Sequence, residues 1–167
     1  RSPTAVQKRG GSVGRMWNTM TAEVDQVLTN LDTHFPEYAG RTTEFAGFGW
    51  HQGWNDLFAA DDRQAYEANM ADFIRDIQSA YGEDLPFIIA TTGQGGTELT
   101  DTRQLQVIEG QLAVGDETKY PEFAGEVAVV ETRSMWRPFE ESPNNQGFHW
   151  NGNGYTMYEI GEGMGEA

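Results

Sequence analysis

Cysteine is absent from this chain of 167 residues, which excludes disulfides, thiolate catalysis and zinc sites built on cysteine. No apolar run approaches the roughly 20 residues that a membrane-spanning helix needs, so no membrane partner is expected. Basic side chains are also scarce: 11 Lys and Arg stand against 26 Asp and Glu, for a net charge of −15. Because nucleic-acid phosphates require a basic surface, this balance argues against a nucleic-acid partner. It suits a neutral or cationic ligand, or simply a well-solvated surface.

The usual signatures of metal and phosphate sites are also missing. The three histidines form no i, i+4 pair and no H-E-x-x-H motif. The glycine-rich residues 93–96 follow a predicted strand, but they lack the lysine and the spacing of a phosphate-binding loop. We therefore expect no metal and no other cofactor.

What the sequence does contain is an alternation of helical and strand patterns within one domain, residues 1–167. Residues 1–14 are basic and glycine-rich, without a hydrophobic period, and are predicted to be a loop or linker. Apolar spacing predicts helices over residues 16–31, 66–81, 101–114 and 155–164, and strands over 45–50, 85–92 and 127–132. Asp61 or Asp62 is the expected N-cap of the second helix. This order predicts an α/β fold, with a parallel sheet between helices on both faces.

Polar side chains follow the predicted strands, at the edge where an open α/β sheet places its ligand site. The first strand ends in residues 51–56, read H-Q-G-W-N-D, in which Gly53 allows the chain to turn sharply. Because the carboxyl ends of parallel strands share one edge, we expect these residues beside 91–94, 133–136 and 148–151. This edge is the predicted site.

Two kinds of catalytic group occur among these residues. His149 precedes the last helix and is a candidate general base, since histidine titrates near neutral pH. Asn55 and Gln52 offer amide N–H groups for the oxyanion that forms when an ester carbonyl is attacked, an effect typically worth ~3 kcal/mol. Each also has a structural alternative: a cap or packed ring for His149, turn chemistry for Asn55 and Asp56, and backbone hydrogen bonding for Gln52. His51 is expected to pack rather than react.

No serine of the chain is a convincing nucleophile. Residues 10–14, G-G-S-V-G, match the G-x-S-x-G nucleophile elbow around Ser12, but no buried strand leads into them, so Ser12 is rejected. Ser134 lies at the predicted site edge without a strained glycine turn, and Ser142 lies in an irregular loop. A serine mechanism therefore needs a residue that these patterns do not supply.

Two motifs resemble those of a known family. W-H-Q-G-W-N-D at residues 50–56 contains G-x-N-D, and G-F-H-W-N-G-N-G-Y-T-M-Y-E-I-G-E-G-M-G occupies residues 147–165. Together they resemble the sialate O-acetylesterase-like branch of the SGNH hydrolases. The resemblance implies a three-layer α/β/α, flavodoxin-like fold and a serine mechanism that removes acetyl groups from sugars. It covers the later part of the family's domain, so the sheet is expected to be incomplete at its N-terminal side.

The resemblance also implies residue roles. His149 would be the base, Gln52 and Asn55 the oxyanion donors, and Gly53 would shape the turn beside the substrate. The nucleophilic serine belongs to an early block that is expected upstream of Arg1 and is absent from the chain. The fragment is therefore expected to be inactive alone.

The acid that orients the base is not assigned by the resemblance. Many family members carry an acid at positions that Trp54 and Gln146 occupy here. Asp56 is the first candidate and Glu141 the second. Trp54 and Trp150 are expected to stack on the sugar, although rings of this size more often lie in a core.

The expected function is therefore a carbohydrate O-acetylesterase, secreted or periplasmic, that acts on an acetylated sugar. The alternative is a non-catalytic carbohydrate-binding or scaffold module that uses the tryptophans without chemistry, and a lipase-like SGNH esterase is a third hypothesis. The oligomeric state does not follow from the sequence. Because residues 45–50 would form an unpaired edge strand, poor solubility of the fragment is also expected.

Overall fold

A computed structural model of the protein describes residues 2–167, apart from the side chain of Arg9, so Arg1 lies outside the described residues. Within this range the chain forms helices and a small sheet joined by short 3₁₀ turns. The helices are α1 (Pro3–Arg9), α2 (Arg15–Thr29), α3 (Leu31–His34), α4 (Ala60–Tyr81), α5 (Thr102–Ala113) and α6 (Gly154–Glu166). The strands are β1 (Phe48–Trp50), β2 (Phe87–Ala90) and β3 (Val127–Val130).

The sheet is parallel, with the strand order β1-β2-β3. Phe87 of β2 lies opposite Phe48 on one side and Val127 on the other. This register brings the carboxyl ends of the strands to one edge, as the alternation of helices and strands predicted.

Alternate residues of β2 pack on opposite faces of the sheet. Phe87 and Ile89 are fully buried in a cluster with Ile74 of α4 and Val107 of α5. Ala90 instead packs in a second cluster with Ile160 of α6. Helices therefore cover both faces, and the predicted α/β fold class is confirmed. No helix within residues 2–167 is both long enough and apolar enough to cross a membrane.

The amino-terminal segment differs from the predicted loop, because residues 3–9 form α1. Pro3 stands in the first turn of this helix, where its missing N–H costs nothing. Thr4 donates from its backbone N–H and its hydroxyl to Asp76 of α4, at 2.9 and 2.5 Å. Ala5 is buried, and the Lys8 ammonium lies 2.5 Å from a carboxylate oxygen of Asp72. These tertiary contacts outweigh the glycine-rich composition of residues 1–14.

Most predicted elements are present, with shorter strands than predicted, longer helices α4 and α6, and a shorter helix α5. Only residues 48–50 of the predicted strand 45–50 pair with β2. The N-cap prediction for the second helix is wrong: α4 begins at Ala60 with Ala59 as its cap. Asp61 and Asp62 lie in the first turn instead, where carboxylates stabilise the positive end of the helix dipole.

One side of the molecule exposes apolar surface. Helix α2 has no buried residue, although Trp17 packs edge-on against Phe73. Met16, Val27 and Phe45 are between 40% and 69% exposed and line one open groove. Within residues 2–167, the edge of β1 that faces away from β2 has no partner strand, so its backbone groups are available for pairing.

Candidate active site

An open cleft of about 760 Å³ lies at the carboxyl edge of the sheet. Its walls are residues 51–55 after β1, Thr92 and Gln94 after β2, residues 148–150 before α6, and Met157 of α6. Three of the four segments predicted to meet at this edge therefore line one cleft. The fourth, residues 133–136, lies behind it, with the Trp136 ring 5.8 Å from the Trp150 ring.

The floor of the cleft is close-packed around Gly53. A Cβ atom at this position would lie 2.6 Å from Thr92 Cγ2 and 2.9 Å from Val107 Cγ1, closer than real Cβ contacts allow. The φ of Gly53 is 166°, which is extended backbone. Glycine is thus required here by the close approach of β2 and α5, a different reason from the sharp turn that the sequence suggested.

A buried amide, Gln111 of α5, ties the ends of β1 and β2 together. Its Nε2 donates to the backbone oxygen of Gln52 at 3.0 Å and to the hydroxyl of Tyr66 at 3.1 Å. Its Oε1 accepts from the backbone N–H of Thr92 at 2.9 Å. Tyr66 in turn donates to the Gln52 oxygen at 2.8 Å, and burial raises the pKa of Tyr66 well above its usual value. This network holds the backbone that carries the oxyanion candidates.

A second amide fixes the loop after β2. Gln104 Nε2 donates to the backbone oxygens of Thr92 at 2.7 Å and Gln94 at 2.6 Å. With its side-chain oxygen turned toward Trp150, Gln94 accepts a hydrogen bond from the indole N–H at 3.2 Å. The β2 loop is thereby connected to the segment that bears His149.

The two oxyanion candidates differ in their hydrogen bonding. Gln52 Nε2 donates to Asp56 Oδ2 at 3.0 Å, which leaves one of its two N–H groups for a ligand. The exposed side chain of Asn55 makes no hydrogen bond within residues 2–167 and lines the cleft. Asn55 is therefore the amide that can turn toward a ligand without breaking an existing bond.

His149 projects from a loop with unusual backbone geometry. Trp150 and Asn151, which follow it, both have φ of 53°, a left-handed conformation that costs energy for a bulky residue. The side chain of Asn151 compensates by donating to the Arg137 carbonyl at 3.1 Å. Asn153 caps α6 by accepting from the backbone N–H groups of Tyr155 and Thr156. The H-W-N-G-N motif is thus an anchored loop that holds the exposed His149 at the cleft.

His51 also lines the cleft, although the sequence predicted only a packing role for it. Its ring is 5.6 Å from the Trp150 ring and remains partly exposed. Partial burial lowers the pKa of His51 below its ordinary value, which favours the neutral imidazole. The sequence signal was its position directly after a strand that ends at the site edge.

Aromatic rings form one wall of the cleft. Trp54 is half-buried between Phe148 and Phe58, with ring centroids 6.2 and 6.3 Å away. Phe148 stands beside His149 at 4.4 Å. Trp150, by contrast, is only 4% exposed and belongs to the core cluster under α6. Of the two tryptophans predicted to stack on a sugar, Trp54 offers the more accessible ring.

Comparison with known protein families shows to which family the chain belongs. Residues 4–133, most of its length, match the family described as carbohydrate esterase, sialic acid-specific acetylesterase. The chain belongs to this carbohydrate esterase family. The match includes the sheet and residues 51–55, whereas His149 lies beyond it. No curated protein and no solved structure matches the chain.

A carbohydrate esterase of the serine type needs a nucleophile, and no serine of residues 2–167 lines this cleft. Ser12 lies between α1 and α2, with no strand leading into it. Ser134 lies in a 3₁₀ turn after β3, and Ser142 donates to the Pro138 carbonyl at 2.8 Å. Within the same range, no group of three or more His, Asp or Glu residues is placed to hold a metal ion.

The orienting acid of the esterase stays a prediction. Asp56 accepts from Gln52, and within residues 2–167 no carboxylate hydrogen-bonds the imidazole of His149. Glu141 uses its backbone oxygen to accept from Asn153 at 3.0 Å. The described contacts therefore connect Asp56 to an oxyanion candidate, and they leave the imidazole free to turn.

Proposed function

We propose that this chain supplies the base and the oxyanion-binding groups of a carbohydrate O-acetylesterase. The observation that supports this role is the single cleft that unites His149 with Gln52 and Asn55, in a chain of a carbohydrate esterase family. The aromatic wall of Trp54 and Phe148 suits the apolar face of a sugar ring. The amides suit the polar acetyl group.

The proposed chemistry is acyl transfer to a serine hydroxyl. His149 accepts the hydroxyl proton while the oxygen attacks the acetyl carbonyl carbon, and the carbonyl π electrons move onto oxygen. Asn55, with the second N–H of Gln52, donates to that oxyanion. Collapse of the intermediate expels the sugar oxygen, which takes the proton back from the imidazolium. Water then attacks the acetyl-serine by the same steps and releases acetate.

The serine of this scheme is not among the residues of 2–167 that line the cleft. The polypeptide of residues 1–167 should hydrolyse an aryl acetate no faster than a solution of free imidazole. Measurable turnover that disappears with Ser134→Ala or Ser12→Ala would show that a serine of this chain is the nucleophile and would contradict the assignment.

Ligand binding tests the rest of the proposal. Intrinsic tryptophan fluorescence should change when a mono-O-acetylated methyl glycoside is added, and less when the same glycoside without its acetyl group is added. Since a hydrogen bond to a ligand contributes about 1 kcal/mol, Asn55→Ala should weaken binding of the acetylated sugar roughly fivefold. Asn18→Ala, at an exposed position on α2, is the matched control and should leave affinity unchanged.

A non-catalytic sugar-binding module is the second candidate, and it is favoured because no serine of residues 2–167 lines the cleft. Such a module would read the sugar ring through Trp54 and Phe148, so affinity would not depend on the acetyl group. Equal binding of the acetylated and parent glycosides, unaffected by Asn55→Ala, would support the module and contradict the esterase assignment.

A further inference from the structure

The loop that carries His149 has a backbone conformation that depends on its neighbours. Trp150 has φ of 53° and ψ of 34°, in the left-handed region, which a bulky residue adopts only where surrounding contacts hold it. The Trp150 ring is 4% exposed and packs against the rings of Trp136 and His51, with centroids 5.8 and 5.6 Å away. Since Trp150 directly follows His149, a contact that fixes this ring also restricts the position of the imidazole.

The polar anchor of the Trp150 ring is the side chain of Gln94, which is 7% exposed in the loop after β2. One orientation of this amide satisfies both of its neighbours. Its oxygen accepts from the indole N–H of Trp150 at 3.2 Å, and its N–H₂ donates to the Thr92 carbonyl at 3.1 Å. The opposite orientation would set the N–H₂ against the indole N–H, so that two donors face each other. The amide therefore joins the loop after β2 to the loop before α6.

The loop after β2 is in turn fixed by helix α5. Gln104 Nε2 donates to the backbone oxygens of Thr92 at 2.7 Å and Gln94 at 2.6 Å. Gln111 accepts from the Thr92 N–H at 2.9 Å and donates to the Gln52 backbone oxygen at 3.0 Å. Helix α5 is thus a common support for the oxyanion side of the cleft and, through Gln94, for the loop of the candidate base.

We propose that Gln94 is a positioning residue of the esterase site, which acts through Trp150 to hold the imidazole of His149 at a fixed distance from the oxyanion donors. The inference rests on the proposed function, in which His149 is the base. Proton transfer requires the base within hydrogen-bond reach of the attacking hydroxyl. A displacement of about 1 Å can cost ~100-fold in rate, so an anchor that fixes this loop contributes to catalysis without touching a reacting atom.

Gln94→Met tests the anchor, since methionine fills a similar volume and offers the indole N–H only a weak acceptor. In ¹⁵N relaxation NMR, the backbone order parameters of residues 148–150 should fall from about 0.85 to about 0.6. The Trp150 indole N–H should exchange with solvent at least ~10-fold faster. The matched control is Gln78→Met on α4, because Gln78 is 8% exposed and its amide donates to Glu126 at 3.1 Å, away from the cleft lining. It should leave residues 148–150 unchanged.

A double-mutant cycle tests whether Gln94 acts through the indole. Trp150→Phe removes the same hydrogen bond from the donor side and keeps an aromatic ring. In the unmodified protein, Gln94→Met should weaken binding of a mono-O-acetylated methyl glycoside about fivefold, followed by NMR titration of the Trp54 indole signal. In the Trp150→Phe background the same change should alter affinity by less than about twofold, because both substitutions break one interaction.

The outcomes separate the positioning role from the proposed function. Unchanged order parameters and indole exchange in Gln94→Met, or equal changes in Gln78→Met, would overturn the positioning role and leave the proposed function intact. A fivefold effect that persists in the Trp150→Phe background would show that Gln94 contacts the ligand itself, and would also overturn the role. Equal binding of the acetylated and parent glycosides to the unmodified protein would instead overturn the proposed function, and with it the role of Gln94 in catalysis.

Discussion

Replacing Gln111 with methionine tests the network beneath the cleft. The Gln111 side chain is fully buried, and methionine fills a similar volume without hydrogen-bonding to its neighbours. The buried Thr92 N–H would lose its acceptor at 2.9 Å, which costs about 1–3 kcal/mol. The Gln52 carbonyl would keep the Tyr66 hydroxyl at 2.8 Å, so its loss is smaller.

We therefore expect Gln111→Met to lower the free energy of unfolding by about 2–3 kcal/mol and Tm by about 6–9 °C. Urea unfolding followed by circular dichroism measures the first, and a thermal scan measures the second. Gln106→Met is the matched control, since Gln106 is half-buried on the same helix and makes no hydrogen bond within residues 2–167. It should stay within about 0.5 kcal/mol of the parent protein. Equal stabilities of the two variants would refute the argument from the network.

Other predictions concern packing, pH and self-association. Gly53→Ala places its Cβ 2.6 Å from Thr92 Cγ2 and should lower the free energy of unfolding by about 2 kcal/mol or more. The control, Gly161→Ala, has open space on α6 and should raise it by up to about 1 kcal/mol. Equal midpoints of urea unfolding for the two variants would contradict the packing argument. Because the pKa of His51 is lowered in the fold, the unfolded chain binds more protons than the folded chain below about pH 6.5. The free energy of unfolding should therefore decrease as the pH is lowered through that window. His51→Gln should remove that part of the loss, and an unchanged pH profile of unfolding would contradict the assignment. Val27→Lys should reduce self-association, measured by light scattering, more than Gln26→Lys does, since Val27 is 48% exposed in the apolar surface of α2. If the parent protein is a monodisperse monomer, the expected poor solubility is contradicted.

The sheet and its site edge could be predicted because they depend on patterns within short stretches of chain. Continuous apolar runs predicted β2 and β3, and periods of three and four predicted α4 and α5. Right-handed parallel connections then place every strand end at one edge, which is why residues 51–55 and 148–150 were expected together.

The features that were missed depend on contacts between distant parts of the chain. Helix α1 forms where Thr4 meets Asp76, 72 positions away, and no local pattern shows that pairing. Gln111 reads as an ordinary polar residue near the end of a helix, and its role appears only when β1 and β2 converge on it. For Gly53, the sequence indicated a glycine requirement, but the steric reason needed the positions of Thr92 and Val107.

In the proposed complex, the cleft at the carboxyl edge of the sheet holds an acetylated sugar between Asn55 and His149. The most direct measurement is a two-dimensional ¹H–¹⁵N NMR titration of residues 1–167 with a mono-O-acetylated methyl glycoside. We predict saturable shifts in the Trp54 indole, in the Asn55 side-chain amide and in the backbone of residues 148–150. These shifts should be smaller with the parent glycoside. Saturable shifts confined to another surface, or none in the cleft, would contradict the account.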